Sequence, residues 1–139
     1  MNSVPRILVF DIFGTVVDWH GSIVREVSAR WPQADADAFA LAWRAGYQPA
    51  MEAVRSGGRG FVKLDVLHRE ILDGLLPRFG LGQLGDAERA ELNRVWHRLA
   101  AWPDSVAGLT RLKARCTICS LSNGHLGLLP AMAKHAGLP

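Results

Sequence analysis

Apolar residues along the chain follow two different spacings, and the change between them predicts an α/β protein. Residues 6–10 form a short run of aliphatic and aromatic side chains between Pro5 and a polar loop, which is typical of a fully buried parallel strand. Residues 117–121 form a second run of this kind. Between the two runs, apolar positions recur every three or four residues, which predicts helices. They are expected at residues 22–31, 35–54, 65–79 and 86–101.

The remaining elements complete the expected order. A helix should start near Pro103 with Asp104 or Ser105 as its N-cap and run to about residue 114, and a last helix should cover residues 126–136 before Gly137. No strand is expected within 21–101. We expect residues 1–18 and 102–139 to form a partial Rossmann-like core and residues 19–101 to form an inserted helical segment. Because two parallel strands cannot bury both of their faces, the sheet is predicted to be incomplete within this chain, as in part of a longer domain.

Composition narrows the range of functions. The 139 residues are 49% hydrophobic and 21% charged, as in an ordinary globular protein, and the net charge of +3 comes from basic residues that are scattered along the chain. A nucleic-acid partner is therefore not expected. No apolar run reaches the length of a membrane span, and no secretory signal is evident, so a cytoplasmic protein without a membrane partner is predicted. Cys116 and Cys119 are expected to be core thiols on opposite faces of a strand.

Polar residues follow both predicted strands where candidate chemistry should lie. Ligands of open α/β sheets bind beyond the carboxyl ends of the strands, so Asp11, Thr15, Ser122 and Asn123 are expected to face one site. A carboxylate held at a strand end suits a nucleophile, although Asp11 taken alone would more often be a structural residue that caps its loop. Thr15 could only hold the loop, Ser122 could be the N-cap of the last helix, and Asn123 with Gly124 could be a simple turn.

Two motifs at these strand ends carry a family resemblance. The sequence FDIFGT at residues 10–15, followed about a hundred residues later by SNG at 122–124, resembles the first two motifs of the haloacid dehalogenase superfamily. More narrowly it is similar to the type II L-2-haloacid dehalogenases, whose motifs are Asp-x-Tyr/Phe-Gly-Thr and Ser-Asn-Gly. Trp43-Arg44 resembles the Trp-Arg pair of their cap. The resemblance implies a Rossmann-like parallel sheet with an inserted α-helical cap.

Phe13 discriminates between subfamilies. Phosphatases of the superfamily carry a second aspartate two residues after the nucleophile, which protonates the leaving alkoxide. Halide leaves without a proton, so a carbon–halogen substrate does not need that acid. A phosphate dianion also calls for Mg²⁺ to screen its charge, whereas a 2-haloacid has its carboxylate away from the reacting carbon. We therefore expect no metal and no cofactor.

The resemblance also implies a mechanism and a set of roles. Asp11, oriented by Thr15, would displace halide from C2 of a short-chain (S)-2-haloacid with inversion, and water would hydrolyse the ester to an (R)-2-hydroxy acid. Arg44 would stabilise the departing halide, or else be a solvated helix residue. Ser122 and the backbone N–H groups at Ile12 and Phe13 would hold the substrate carboxylate, and Asn123 would cradle the halide. A homodimer is expected.

Other expectations concern the surroundings of this site. Tyr47 and Phe61 could wall an apolar substrate pocket or belong to the core, and four tryptophans are assigned to packing: Trp19, Trp31, Trp96 and Trp102. The family's lysine after the third strand and its loop after the fourth would lie beyond Pro139, and none of the lysines here has a matching context, so the chain alone could be inactive. The alternatives are a phosphatase-like relative and a non-catalytic binding or assembly module.

Overall fold

A computed structural model describes residues 5–139, so residues 1–4 of the predicted 1–18 segment lie outside the described residues. The described chain divides into two compact units, one made of residues 5–19 and 97–139 and the other of His20–Trp96. None of the described helices is long and apolar enough to cross a bilayer. The element order is β1 (Ile7–Phe10), β2 (Val17–Asp18), α1 (Trp19–Arg30), α2 (Ala36–Ala45), α3 (Tyr47–Arg55), α4 (Leu64–Leu75), α5 (Asp86–Asn93), β3 (Ala100–Ala101), α6 (Ser105–Lys113), β4 (Thr117–Ser120) and α7 (Leu128–Ala136).

The first unit contains a parallel strand pair. β1 and β4 pair in parallel from Ile7 opposite Thr117 to Phe10 opposite Ser120. The pairing continues at both ends, because the Thr117 N–H donates to the Arg6 carbonyl and the Leu121 N–H donates to that of Phe10. The predicted α/β class with a parallel sheet is confirmed. The register brings both strands to their carboxyl ends at the same level, which places the two polar loops at one edge of the sheet.

The prediction that the first strand is fully buried is wrong for this chain. Ile7 and Val9 are each 60% exposed, because among the described residues no second layer covers their face of the two-stranded sheet. The same face carries Cys119, which pairs with Val9 and is exposed. The assignment of Cys119 to the core is therefore also wrong, whereas Cys116 is half-buried, and both thiols are free.

The second unit is helical, but its second predicted helix is two helices. The range 35–54 divides into α2 and α3 at Gly46. Pro49 supplies the reason, because it lacks the N–H that a continuous helix would donate to the Ala45 carbonyl, yet it fits the first turn of a new helix. Gly46 also lets the junction approach α4 closely, since a Cβ at this position would lie 2.5 Å from Ile71 Cγ2.

The predicted helix 86–101 is too long at its carboxyl end. α5 ends at Asn93, a 3₁₀ turn covers Arg94–His97, and Ala100–Ala101 forms β3. β3 pairs antiparallel with β2 in the first unit, with Val17 opposite Ala101. The expectation of no strand within 21–101 is therefore wrong, because this two-residue ladder depends on a partner more than eighty positions away rather than on a local apolar pattern.

Aromatic side chains form the core of the second unit. Trp43 is completely buried, donates its indole N–H to the His68 carbonyl at 2.9 Å and meets the rings of Phe39 and Trp96 edge to face. The imidazole of His68 stacks on Trp96 with 4.2 Å between ring centroids. The assignment of Trp96 to packing is confirmed. These contacts fix α2, the helix that carries Arg44, against α4 and the segment after α5.

An ion-pair network joins α4 to the loop and helix that follow it. Asp73 accepts hydrogen bonds from Arg69 and Arg89, and Arg89 also donates to the carbonyls of Leu84 and Gly82. Burial raises the pKa of Asp73, but the hydrogen bonds and charges of Arg89 and Arg69 outweigh it and hold that pKa below its ordinary value. The network therefore stabilises the second unit most when Asp73 is ionised.

Replacement of Asp73 tests this network. Asp73→Asn should lower the free energy of unfolding at pH 7 by about 1 kcal/mol, at the low end for charged hydrogen bonds because its side chain is 40% exposed. A depressed folded-state pKa means that this stability is present above the unfolded value of roughly 3.9 and is lost as pH falls through the lower folded value. Urea unfolding at pH 7 and below pH 4 should show the deficit shrinking in acid. Glu52→Gln, at an exposed pair on α3, is the control and should change stability little at either pH.

Candidate active site

Asp11 lies directly after β1, at the carboxyl end of the strand. Its side chain is exposed, and its Oδ2 accepts a hydrogen bond of 2.7 Å from the Thr15 hydroxyl. Among residues 5–139 the Asp11 carboxylate forms no ion pair within 4.0 Å. The Thr15 hydroxyl restrains the carboxylate through Oδ2, and Oδ1 takes no part in this hydrogen bond. The two side chains are thus in direct contact, and their roles as nucleophile and orienting residue stay predictions.

The loop from Asp11 to Val17 is held by its own backbone. The Ile12 carbonyl accepts from the N–H groups of Thr15, Val16 and Val17, and the Gly14 N–H donates to the Val17 carbonyl. The Ile12 side chain is buried at 7% exposure, whereas Phe13 is half-buried. Gly14 has a φ of +99°, a conformation that residues with a Cβ rarely adopt. The tight turn after the nucleophile therefore requires a glycine.

A substitution at Gly14 should show this requirement directly. Gly14→Ala should destabilise the first unit by about 1–3 kcal/mol, because φ is positive and the new Cβ would lie 3.3 Å from the Trp19 indole nitrogen. Gly108→Ala in α6 is the matched control, since nothing lies within 4 Å of that Cβ. There the change should raise stability by about 0.5–1 kcal/mol, as alanine favours a helix interior. Equal effects of the two changes in chemical denaturation would contradict the strained turn.

Ser122 and Asn123 follow β4 in the neighbouring loop. Asp11 continues β1 level with Leu121, so Ser122 comes one residue beyond that level at the same edge of the sheet. The Ser122 hydroxyl accepts the Gly124 N–H at 3.1 Å. The alternative that Ser122 is the N-cap of the last helix is wrong, because α7 starts at Leu128, whose N–H is accepted by His125 Nδ1. Ser122 therefore shapes a turn, and Asn123 is exposed on it.

Three predicted site residues belong to the second unit. Arg44 is half-buried on α2, and its guanidinium carbon lies 4.6 Å from the centroid of the Tyr47 ring, a cation–π contact. Phe61 lies in the segment before α4 and is 86% exposed. Tyr47 is thus engaged with the arginine that the sequence singles out, while Phe61 contributes no core packing within its unit. Their roles toward a substrate stay predictions.

An apolar cavity of about 340 Å³ lies in the first unit, away from the polar loops' side chains. Phe10, Ile12 and Ile118 line it together with residues of α7, but Asp11, Thr15, Ser122 and Asn123 do not. It is therefore a gap in the packing of this unit rather than a pocket around the candidate nucleophile. Within the described residues, no three His, Cys, Asp or Glu side chains are grouped so that they could hold a metal ion.

Sequence reasoning missed two side chains that contact the Asp11 loop. The Trp102 indole N–H donates to the Gly14 carbonyl at 3.1 Å, and the Ser105 hydroxyl donates to the Val16 carbonyl at 2.8 Å. The assignment of Trp102 to packing is wrong, since the residue is 38% exposed and its indole N–H is a hydrogen-bond donor to the loop. A tryptophan just before a predicted helix cap gave a weak signal, but its partner lies 88 positions away.

Solved structures provide the comparison for this arrangement. A defluorinating L-2-haloacid dehalogenase superposes with a TM-score of 0.89 at 51% identity, over 96% of this chain and 57% of that one. A second L-2-haloacid dehalogenase gives 0.90 at 40% identity, over 99% of this chain and 60% of that one. The enzyme from Xanthobacter autotrophicus with chloropropionic acid covalently bound gives 0.83 at 24% identity, which shows the fold. No family model and no curated protein matches the chain.

The fold and the loops at the strand ends define a member of the haloacid dehalogenase superfamily. Within that superfamily the chain belongs with the L-2-haloacid dehalogenases, as its identity of 51% and 40% to two of them shows. The resemblance carried by residues 10–15 and 122–124 is confirmed. The chain spans 57% and 60% of the length of those two proteins.

Proposed function

We propose that this chain carries the nucleophile of an enzyme that hydrolyses short-chain (S)-2-haloacids to (R)-2-hydroxy acids through an ester at Asp11. The observation that supports this most directly is the 2.7 Å hydrogen bond from Thr15 to Asp11 at the carboxyl end of β1. It gives the carboxylate a fixed orientation, so that Oδ1 can approach C2 in line with the carbon–halogen bond. Kinship with L-2-haloacid dehalogenases supports the substrate class.

The proposed reaction has two steps, formation of an ester at Asp11 and its hydrolysis by water. Asp11 Oδ1 forms a bond to C2 while the carbon–halogen bond breaks and the electron pair leaves with the halide, inverting the carbon. Water then adds to the carboxyl carbon of Asp11 and the ester bond at that carbon breaks. The products are the 2-hydroxy acid, the regenerated carboxylate and one proton. The hydroxyl oxygen of the product therefore comes from Asp11 and is replaced there from water.

Phe13 favours this chemistry over phosphate transfer. Its side chain has no proton to give and lies two residues after Asp11, where a phosphatase of the superfamily would need an acid. Phe13 also forms an isolated backbone bridge with Val17, so its main chain helps to hold the turn. Because halide departs without protonation, the proposed reaction does not need an acidic side chain at position 13.

The remaining roles follow as parts of the same proposal. Arg44 stabilises the halide as it departs, and Ser122 with the backbone N–H groups of Ile12 and Phe13 holds the substrate carboxylate. Asn123 contacts the halide, and Tyr47 and Phe61 border the substrate on its apolar side. The helical unit acts as the cap. A homodimer in the cytoplasm that uses no metal or cofactor completes the proposal.

Isotope labelling tests the ester at Asp11. The protein is incubated with 2-chloropropionate in ¹⁸O water over several turnovers and digested with trypsin, which releases residues 7–25. This peptide contains both Asp11 and Asp18, so its fragment ions place the label and Asp18 is an internal control. We expect ¹⁸O in Asp11 together with release of chloride, and none in Asp18.

Two results would reject the proposal. Well-folded protein that neither releases halide nor takes up label would leave a non-catalytic module as the better interpretation. Release of phosphate from a generic phosphate ester with Mg²⁺, without dehalogenation, would instead favour the phosphatase alternative. Label in the 2-hydroxy acid during a single turnover would mean that water attacks C2 directly and that no ester forms.

A further inference from the structure

Two carbonyl groups of the Asp11 loop are held from outside the loop by the segment Trp102–Ser105. The Trp102 indole N–H donates to the Gly14 carbonyl at 3.1 Å. The Trp102 backbone N–H and the Ser105 hydroxyl both donate to the Val16 carbonyl, at 3.1 and 2.8 Å. The loop's own hydrogen bonds converge on Ile12 and Val17 and do not use these two carbonyls. The orientation of the Gly14–Thr15 and Val16–Val17 peptides therefore depends on residues 102–105.

A short path connects Trp102 to the carboxylate. The Gly14 carbonyl belongs to the peptide group that ends at the Thr15 nitrogen, so rotation of this peptide moves Thr15. Glycine at position 14 removes the steric restraint that a side chain would place on such rotation, and its φ is +99°. The Thr15 hydroxyl in turn donates to Asp11 Oδ2 at 2.7 Å. A donor on the Gly14 carbonyl thus supplies the restraint that the glycine cannot.

We propose that Trp102 is a positioning residue for the nucleophile: its indole N–H fixes the Gly14–Thr15 peptide and so orients Asp11 through the Thr15 hydroxyl. The proposal extends the dehalogenase function proposed above and rests on it. Trp102 does not touch the carboxylate, and the restraint acts through two intervening residues. Misdirection of a nucleophile by a fraction of an ångström lowers the rate of the chemical step and leaves substrate binding nearly intact.

Removal of the indole N–H tests the proposal. Trp102→Phe keeps an aromatic ring but no donor, and we expect kcat for 2-chloropropionate to fall about 10-fold with KM changed less than about 2-fold. Trp31→Phe is the matched control, since Trp31 is on the other unit and its ring contacts the Arg30 guanidinium. The control should retain the parent's kcat and KM.

A double-mutant cycle separates positioning from a general loss of structure. If Trp102 acts through Thr15, Trp102→Phe should change kcat by less than about 2-fold in a Thr15→Val background, because the path to Asp11 is already broken. Independent damage to the fold would instead multiply the two losses. Additive effects on the activation free energy would overturn the proposal even if the single variant is slow.

An NMR measurement tests whether Trp102 holds the Gly14–Thr15 peptide, and it does not require turnover. The ¹⁵N–¹H amide resonance of Thr15 reports on the hydrogen bond to the preceding carbonyl, so it should shift in Trp102→Phe and stay in place in Trp31→Phe. An unmoved Thr15 resonance, or a variant with the parent's kcat, would overturn the role of Trp102. Folded parent protein that releases no halide would overturn the proposed function instead, and the Thr15 resonance would still decide whether Trp102 holds the loop.

Discussion

Asp11→Asn should abolish halide release from 2-chloropropionate, with a fall in kcat of at least about 10⁴-fold. The amide oxygen of asparagine is a much weaker nucleophile than a carboxylate, and its NH₂ group cannot accept the Thr15 hydroxyl. Asparagine has nearly the same shape, and the Asp11 side chain is exposed, so stability should change by no more than about 0.5 kcal/mol. Chloride release and thermal unfolding of the same preparation measure the two quantities together.

The matched control is Asp35→Asn at the start of α2. Asp35 is also an exposed aspartate, and its side chain accepts the Ala38 N–H as the N-cap. Asparagine caps a helix about as well as aspartate, so the control should keep both stability and activity. Residual activity of Asp11→Asn above a few per cent would place the nucleophile elsewhere. Slow recovery of activity with conversion of asparagine to aspartate would still be consistent with Asp11.

The parts of the fold that the sequence predicted are those with strong local patterns. The strands around residues 7–10 and 117–120 are evident from short apolar runs between turn residues, and the motifs after them identified the family. Gly137 after α7 has a φ of +67°, as its position after a helical pattern predicts. The division at Gly46 was not predicted, although Pro49 lacks the N–H that a continuous helix requires there.

Other features depend on partners that are distant in the chain. The two-residue pairing of β2 with β3 and the hydrogen bond from Trp102 to Gly14 join segments more than eighty positions apart, and neither leaves a periodic pattern. The exposure of Ile7 and Val9 has a different cause. A strand that is apolar on both faces is typical of a sheet covered on both sides, but among the described residues no layer covers one face of β1. Apolar pattern alone therefore overstated the burial of β1.

Arg44→Gln should lower kcat/KM for 2-chloropropionate by about 10²–10³-fold if Arg44 stabilises the halide in the transition state. Arg44→Lys should recover part of the loss, since lysine keeps the charge but lacks the planar guanidinium that lies over the Tyr47 ring. Arg55→Gln on α3 is the control, because Arg55 is 57% exposed and pairs with Glu52 at the surface. The control should retain activity.

The dependence of the Arg44→Gln loss on the halogen tests what Arg44 does. Fluoride is small and strongly basic, so the charge that develops on it in the transition state is concentrated and needs the most stabilisation, whereas bromide spreads its charge over a larger atom. If Arg44 acts on the departing halide, the loss should be larger for 2-fluoropropionate than for the chloro acid, and smallest for the bromo acid. If Arg44 instead binds the substrate carboxylate, which all three acids share, the loss should be equal across the series and should appear mainly in KM. An equal loss would therefore move Arg44 from the leaving group to the carboxylate and leave Asp11 as the nucleophile.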